Sequence, residues 1–238
     1  MNIAVLFAGI LRTDLEETIQ NVSRVCNNFK DHNVKSYFVT WSIPNKIANE
    51  IKDNVDFFHM VDEPEIDWVV ENVPNFVGQK KNKPPLGGGS YLNIYYMLKC
   101  RQAAVAYLNE SGFIPDYTLL IRNDAFLRIE NLNEWLNNEY NTSSLRHSRR
   151  SENRTWGIPS HQVNDHFVFA RHEIINNTFN KDDEFFKNII SKTSNAEGAV
   201  LDLIKGAETK RHYMKFDDYY LLDGINGCRH IYRDSEGV

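Results

Sequence analysis

Apolar residues in this chain fall into strand-like and helix-like patterns that alternate. Ile3 to Ala8 and Tyr117 to Ile121 are short runs with almost no polar interruption. A run that does not alternate suits a strand buried on both faces, as in the middle of a mostly parallel sheet. Val34 to Trp41 and Val55 to Val61 read as two further strands. Between them the spacing changes to threes and fours. Leu15, Ile19, Val22, Val25 and Cys26 mark one face of a helix capped by Thr13 or Asp14 and running to about Phe29. Pro44 precedes a short helix, Ile43 to Ile51. Ser90 caps a longer one, Tyr91 to about Asn109, with Leu92, Tyr95, Tyr96, Ala103, Ala106 and Tyr107 on one face and Gly112 as its stop. Strands and helices in this order predict an α/β layer with a central, mostly parallel sheet flanked by helices.

The second half is less regular. Asn131 to Tyr140 has helical spacing, and Leu145 to Arg154 reads as a basic loop carrying Arg146, Arg149, Arg150 and Arg154. Phe167 to Ala170 resembles a short strand. Two or three short helices are predicted after it: Glu173 to Thr178, Asp182 to Ile190 and Glu197 to Lys205. Pro64 to Gly89 has no periodicity. Its basic, Pro- and Gly-rich half, Gln79 to Gly89, is either a lid over an anionic ligand or a disordered loop. No internal repeat or linker divides the chain, so residues 1–238 are read as a single domain.

A net charge of -5 over 238 residues excludes the broad basic surface of a general nucleic-acid binder. Cys26, Cys100 and Cys228 are odd in number, widely spaced and without CxxC, which suits reduced thiols in a cytoplasmic protein. The apolar N-terminal run is too short to span a bilayer and lacks a basic region before it, so no membrane span is expected. The Asn-x-Ser/Thr triplets at Asn21, Asn141 and Asn153 are expected to be unmodified.

Candidate chemistry lies where apolar runs stop. In open α/β sheets, ligands bind outside the carboxyl ends of the strands. The central run ends at Arg122-Asn123-Asp124. A carboxylate there can hold a divalent metal and a guanidinium can pair with phosphate. The same residues can equally form a salt-bridged strand end. The first strand ends in Phe7-Ala8-Gly9, with Arg12 close to a helix start. That is a phosphate site or a surface arginine. Neither GxGxxG nor a GxxxxGK[ST] loop is present, which argues against dinucleotide oxidoreductases and P-loop NTPases. A second polar cluster, Asn164-Asp165-His166, adjoins the strand at Phe167.

In this order these pieces resemble GT-A-type glycosyltransferases of bacteria and large DNA viruses, enzymes that build surface polysaccharides or virion glycans. The resemblance rests on Gly9-Ile-Leu-Arg-Thr13, Trp41, the paired Tyr95-Tyr96, Arg122-Asn-Asp124 and Val163-Asn-Asp-His-Phe167. It covers roughly residues 1 to 205, and no one motif in it is specific. It implies a GT-A-like nucleotide-diphospho-sugar transferase fold, with residues 1–127 as the nucleotide-sugar-binding half and 128–238 as an acceptor-side half. Two departures stand out. Many GT-A enzymes carry Asp-x-Asp where this chain has Arg122-Asn-Asp124, and His166 replaces an expected glutamine.

The resemblance implies transfer of a sugar from a nucleotide-diphospho-sugar, expected to be a UDP-sugar, to a glycan acceptor. Phe7, Ala8, Gly9, Arg12, Trp41, Arg122, Asn123 and Asp124 would hold the donor, and Asp124 would hold Mn²⁺ or Mg²⁺. Asp165 is the candidate base on the acceptor hydroxyl if transfer inverts; a retaining transfer would need none. Trp156, Asn164 and His166 would support the acceptor side, His166 being read first as a satisfied histidine beside the strand. A sugar nucleotidyltransferase, or an inactive nucleotide- or carbohydrate-binding module, is the alternative.

Overall fold

The computed structural model describes residues 1–11, 13–62, 91–147, 155–157, 164–192, 199–200, 203–204, 208–215 and 217–222. Strand β1 (Asn2–Ala8) leads to helix α1 (Leu15–Cys26), a 3-10 turn (Asn27–Phe29), β2 (Asn33–Trp41), α2 (Asn45–Lys52) and β3 (Phe57–Val61). Helix α3 (Tyr91–Glu110) feeds β4 (Tyr117–Ile121), and β5 (Ala125–Leu127) follows at once. Next come α4 (Leu132–Leu136), β6 (Tyr140–Ser143), β7 (Leu145–His147), β8 (Thr155–Gly157) and β9 (Phe167–Arg171). Helices α5 (His172–Phe179) and α6 (Asp183–Lys192) precede β10 (Thr209–His212) and β11 (Tyr219–Leu221).

Seven strands form one sheet in the order β10-β6-β9-β4-β1-β2-β3. All run parallel except β9, which is antiparallel to both β4 and β6. The absence of alternation in the β1 run now has its cause, because both faces are covered. Ala4, Leu6 and Ala8 pack with Leu98, Ala104, Val105 and Leu108 of α3 and with Phe179 and Phe186 from α5 and α6. Ile3, Val5 and Phe7 pack on the opposite face with Val22 and Val25 of α1, Phe29, Ile51 of α2 and Trp135 of α4.

Asp14 caps α1 by accepting from the Glu17 amide at 2.8 Å. Along the same helix, Asn21 donates to the Ala125 carbonyl at 2.9 Å. Just beyond it, Asn28 donates to the Leu127 carbonyl and accepts from the Ile129 amide at 2.7 Å. These amides fasten β5 to α1. Asn21 and Asn141 are buried with their side-chain nitrogens committed to backbone carbonyls, which suits unmodified side chains. Asn153 lies outside the described residues.

Three expectations change. The predicted helix from Asn131 to Tyr140 ends at Leu136, because Tyr140 and Asn141 pair with Ala170 and Phe169 of β9 and with β10. Sheet pairing overrides the helical spacing there. The basic stretch from Leu145 begins as a strand, β7, antiparallel to β8, and residues 148–154 lie outside the description. On α3 the buried set extends to Leu98, Cys100 and Arg101, well round from the predicted aromatic face. Of the predicted helix Glu197 to Lys205, residues 199–200 and 203 are helical. No helix among the described residues is long and apolar enough to cross a membrane.

Phe169 is fully buried, its ring centroid 5.6 Å from Phe29, 5.5 Å from Tyr117 and 6.1 Å from Trp135. Phe169→Ala is expected to cost about 3–5 kcal/mol, read from the urea midpoint at constant slope. A loss below about 1 kcal/mol would mean that the site collapses around the gap or that this packing is loose.

Candidate functional site

The reversed direction of β9 assembles the site. Ile121, the last residue of β4, pairs with Phe167, the first of β9, and the Arg122 amide donates to the His166 carbonyl at 2.8 Å. Arg122-Asn123-Asp124 and Asn164-Asp165-His166 therefore lie side by side. They sit at the sheet edge where β1, β2 and β4 end. Asn123 donates to the Gly9 carbonyl at 2.6 Å, tying the ends of β1 and β4 together. Gly9 has φ +150°, and among the described residues nothing stands within 4 Å of where a Cβ would be, so there is room beside it, although its amide donates to the Val39 carbonyl at 3.2 Å.

Arg122 holds Asp124 with a fork. Its Nε reaches Oδ1 at 2.8 Å and its Nη2 reaches Oδ2 at 2.6 Å. Burial opposes the Arg122 charge, but the Asp124 carboxylate and, more weakly, Asp165 outweigh it and raise the guanidinium pKa. Both side chains retain some exposure, 17% for Arg122 and 9% for Asp124.

Behind the second cluster lies Arg101 of α3, almost wholly buried. It donates to the Asp165 carbonyl, and its guanidinium carbon stands 5.7 Å from the Phe179 ring centroid. Burial lowers its pKa, with Asp165 and Tyr140 offsetting part of the effect. Its Nε has no hydrogen-bond partner. The sequence carried a signal for it: a lone cation between Leu98 and Ala104-Val105 on the apolar face of a helix.

Tyr219 of β11 is the other residue the sequence did not single out. Its hydroxyl accepts from Asn164 Nδ2 at 3.0 Å and is hydrogen-bonded to His166 Nδ1. With Asn164 donating to it, the hydroxyl has its own proton for Nδ1. That assignment places the imidazole proton on Nε2, 3.5 Å from Asp165 Oδ1. The His166 amide also donates to Asn164 Oδ1 at 2.7 Å. His166 is thus a satisfied histidine, and it also braces Asp165.

Other expected donor residues are placed differently. Phe7 is core, its ring 6.2 Å from Phe38, and Trp41 is buried edge-on to Tyr96 at 5.6 Å. Ala8 is buried at the strand end. The side chains of these three residues are therefore packed inward and not presented at this edge. Trp156 lies in β8 opposite Arg146. Arg12 and the stretch from 79 to 89 lie outside the described residues. Burial pushes the thiols of Cys26 and Cys100 up to about 12, so neither supplies a thiolate near neutral pH.

The described residues do not fit a resident divalent ion as they stand. No group of three or more His, Cys, Asp or Glu among them could hold one. The two oxygens of Asp124 already meet a fixed cation.

No protein-family model matches the chain, and no curated protein matches it. Solved structures that resemble it are glycosyltransferases. The galactosyltransferase LgtC, in complex with donor and acceptor sugar analogs, is 12% identical, with 94% of this chain and 87% of that one covered and a TM-score of 0.46. Glycosyltransferase GlyE of Streptococcus pneumoniae TIGR4 is 10% identical at a TM-score of 0.41; the match covers 89% of this chain but only 45% of GlyE. A glycosyltransferase involved in glycosylation of the major capsid of PBCV-1 is 12% identical over 90% of this chain and 83% of that one, at 0.41. Likenesses of this strength carry no argument about this chain, whose chemistry stands on its own residues.

Tyr219→Phe removes the hydroxyl shared by Asn164 and His166. Both would be left buried without it, and the expected loss is about 1–3 kcal/mol in chemical denaturation. Unchanged stability would show that the network does not hold the Asn164–His166 segment.

Proposed function

We propose that the chain is a glycosyltransferase that takes a sugar from a nucleotide-diphospho-sugar, a UDP-sugar in the first instance, and passes it to a glycan acceptor. The observation that supports this reading is the convergence of Arg122-Asn123-Asp124 and Asn164-Asp165-His166 beside Gly9, which has no side chain to fill the space there. A diphosphate needs a cation and room near it, and in an inverting transfer the acceptor hydroxyl needs a carboxylate on its other side. All are present at one sheet edge. Residues 1–238 are taken as one such domain, with the donor lying over the ends of β1, β2 and β4.

In the transfer, the acceptor oxygen bonds to the anomeric carbon as the bond from that carbon to the diphosphate oxygen breaks. The bonding pair leaves with the diphosphate, and the hydroxyl proton passes to Asp165. Asp165 is suited to this by its setting. Arg101 holds its carbonyl from behind, and His166 stands 3.5 Å from its Oδ1. Arg101 thus fixes the backbone that carries Asp165, and His166 steadies the carboxylate on one side, so little entropy is lost on meeting the substrate.

A thermal-shift panel of nucleotides and nucleotide sugars tests the reading, because a ligand that binds only the folded chain raises its stability by mass action. The expected result is a shift with a nucleoside diphosphate and its sugar. Asp165→Asn should keep that shift and lose donor turnover by about 100-fold or more. A flat panel overturns the proposal, and a shift without hydrolysis or transfer by the unaltered chain favours a binding module.

A further inference from the structure

We infer that Arg122 itself is the cation that receives the donor's diphosphate, with Asp124 as its positioning residue, so that donor binding needs no divalent metal. The inference rests on the transferase reading above and deepens it.

A guanidinium carries five N–H donors in a fixed plane. Asp124 takes two of those on Arg122, through Nε and Nη2. The remaining three meet no acceptor among the described residues, and the side chain is 17% exposed at the carboxyl edge of the sheet. A planar fork with spare donors suits two phosphate oxygens. Asp124 fixes the plane in which those donors lie, as a carboxylate partner does for any arginine that must bind without first searching its rotamers.

The charges of the described residues at this edge point the same way. Among them, Arg101 and Arg122 lie with Asp124 and Asp165, two cations with two anions. Divalent ions are held where several oxygen anions outnumber cations. An ion on Asp124 would stand beside a guanidinium already within 2.6 Å of the same carboxylate. Their repulsion at that separation is several kcal/mol in a partly buried site. A diphosphate brings two or more negative charges, and the spare donors of Arg122 are where it would be met.

The two readings of Asp124 differ in a substitution. If Asp124 held an essential metal, Asp124→Asn would abolish metal-dependent nucleotide binding. If Asp124 only orients Arg122, the change removes a competing negative charge and leaves the guanidinium in place. The experiment is titration calorimetry of the full chain with UDP, in EDTA and again with Mn²⁺. The expected result is binding in EDTA that Mn²⁺ changes by less than about twofold, with about tenfold or greater loss in Arg122→Gln. Asp124→Asn keeps one acceptor oxygen for the guanidinium while removing the competing charge, and should still bind UDP in EDTA, within about threefold of the unaltered chain. Circular dichroism and melting of each variant separate misfolding from loss of binding, and Asp124→Asn keeps the test alive if Arg122→Gln does not fold. Binding that appears only with Mn²⁺, or that Asp124→Asn abolishes, overturns the role of Arg122 and leaves the transferase intact. Absence of binding by UDP and every other nucleoside diphosphate in both conditions overturns the transferase reading itself.

Discussion

One reversed strand decides what this fold can do. Had β9 run parallel to β4, its polar segment would have lain at the far end of the sheet, about five residues or roughly 17 Å away. The Ile121–Phe167 pairing and the bond from the Arg122 amide to the His166 carbonyl put the two clusters in register instead. Each cluster belongs to the same edge only because of that direction. The helices on both faces then keep the strands apolar and rigid, and the polar residues are confined to where the strands stop.

Confinement has an electrostatic consequence. Arg101 is almost fully buried, and desolvation lowers its pKa while Asp165 works in the opposite sense. Arg122 is less enclosed and has a carboxylate fork, so its charge is reinforced. The two arginines therefore do different things. Arg101 holds the backbone of the Asp165 segment and turns no donor outward with a described partner to spare. Arg122 is partly exposed, with donors left over among the described contacts. The unpartnered Nε of Arg101 is a cost that a purely structural core would avoid, and an apolar residue of similar volume would pack there without it.

Much of this was legible in the chain. The apolar runs located β1, β2, β4 and β9, and the abrupt stop at Arg122 located the edge. The direction of β9 was not legible, since four apolar residues read the same in either direction. Helix spacing misplaced Tyr140, whose fate is set by β9 and β10, both far off in sequence. Arg101 and Tyr219 were missed for related reasons. A cation within a helix reads as surface by default, and Tyr219 gains its role through a strand pair with β5, about ninety residues earlier. Phe7 and Trp41 stand at strand ends, as read from the sequence, while the inward packing of their side chains is set by partners such as Phe38 and Tyr96.

The strands β10 and β11 complete both the sheet and the site. β10 adds to β6 at the sheet edge, while β11 pairs with β5 and brings Tyr219 beneath Asn164 and His166. Arg128 and Asp218 lock the same segment through a side-chain pair at 2.5 Å and a bond between their backbones at 2.6 Å. The Leu222 amide donates to the carbonyl of Asp124 at 2.8 Å, so this late segment also touches the first cluster. Contacts across such sequence separations form only after their loop entropy has been met by the rest of the sheet. The bracing of Asp165 and the backbone of Asp124 thus depend on the last described strand. A chain folded through β9 alone would hold the residues of the site without the network that fixes them.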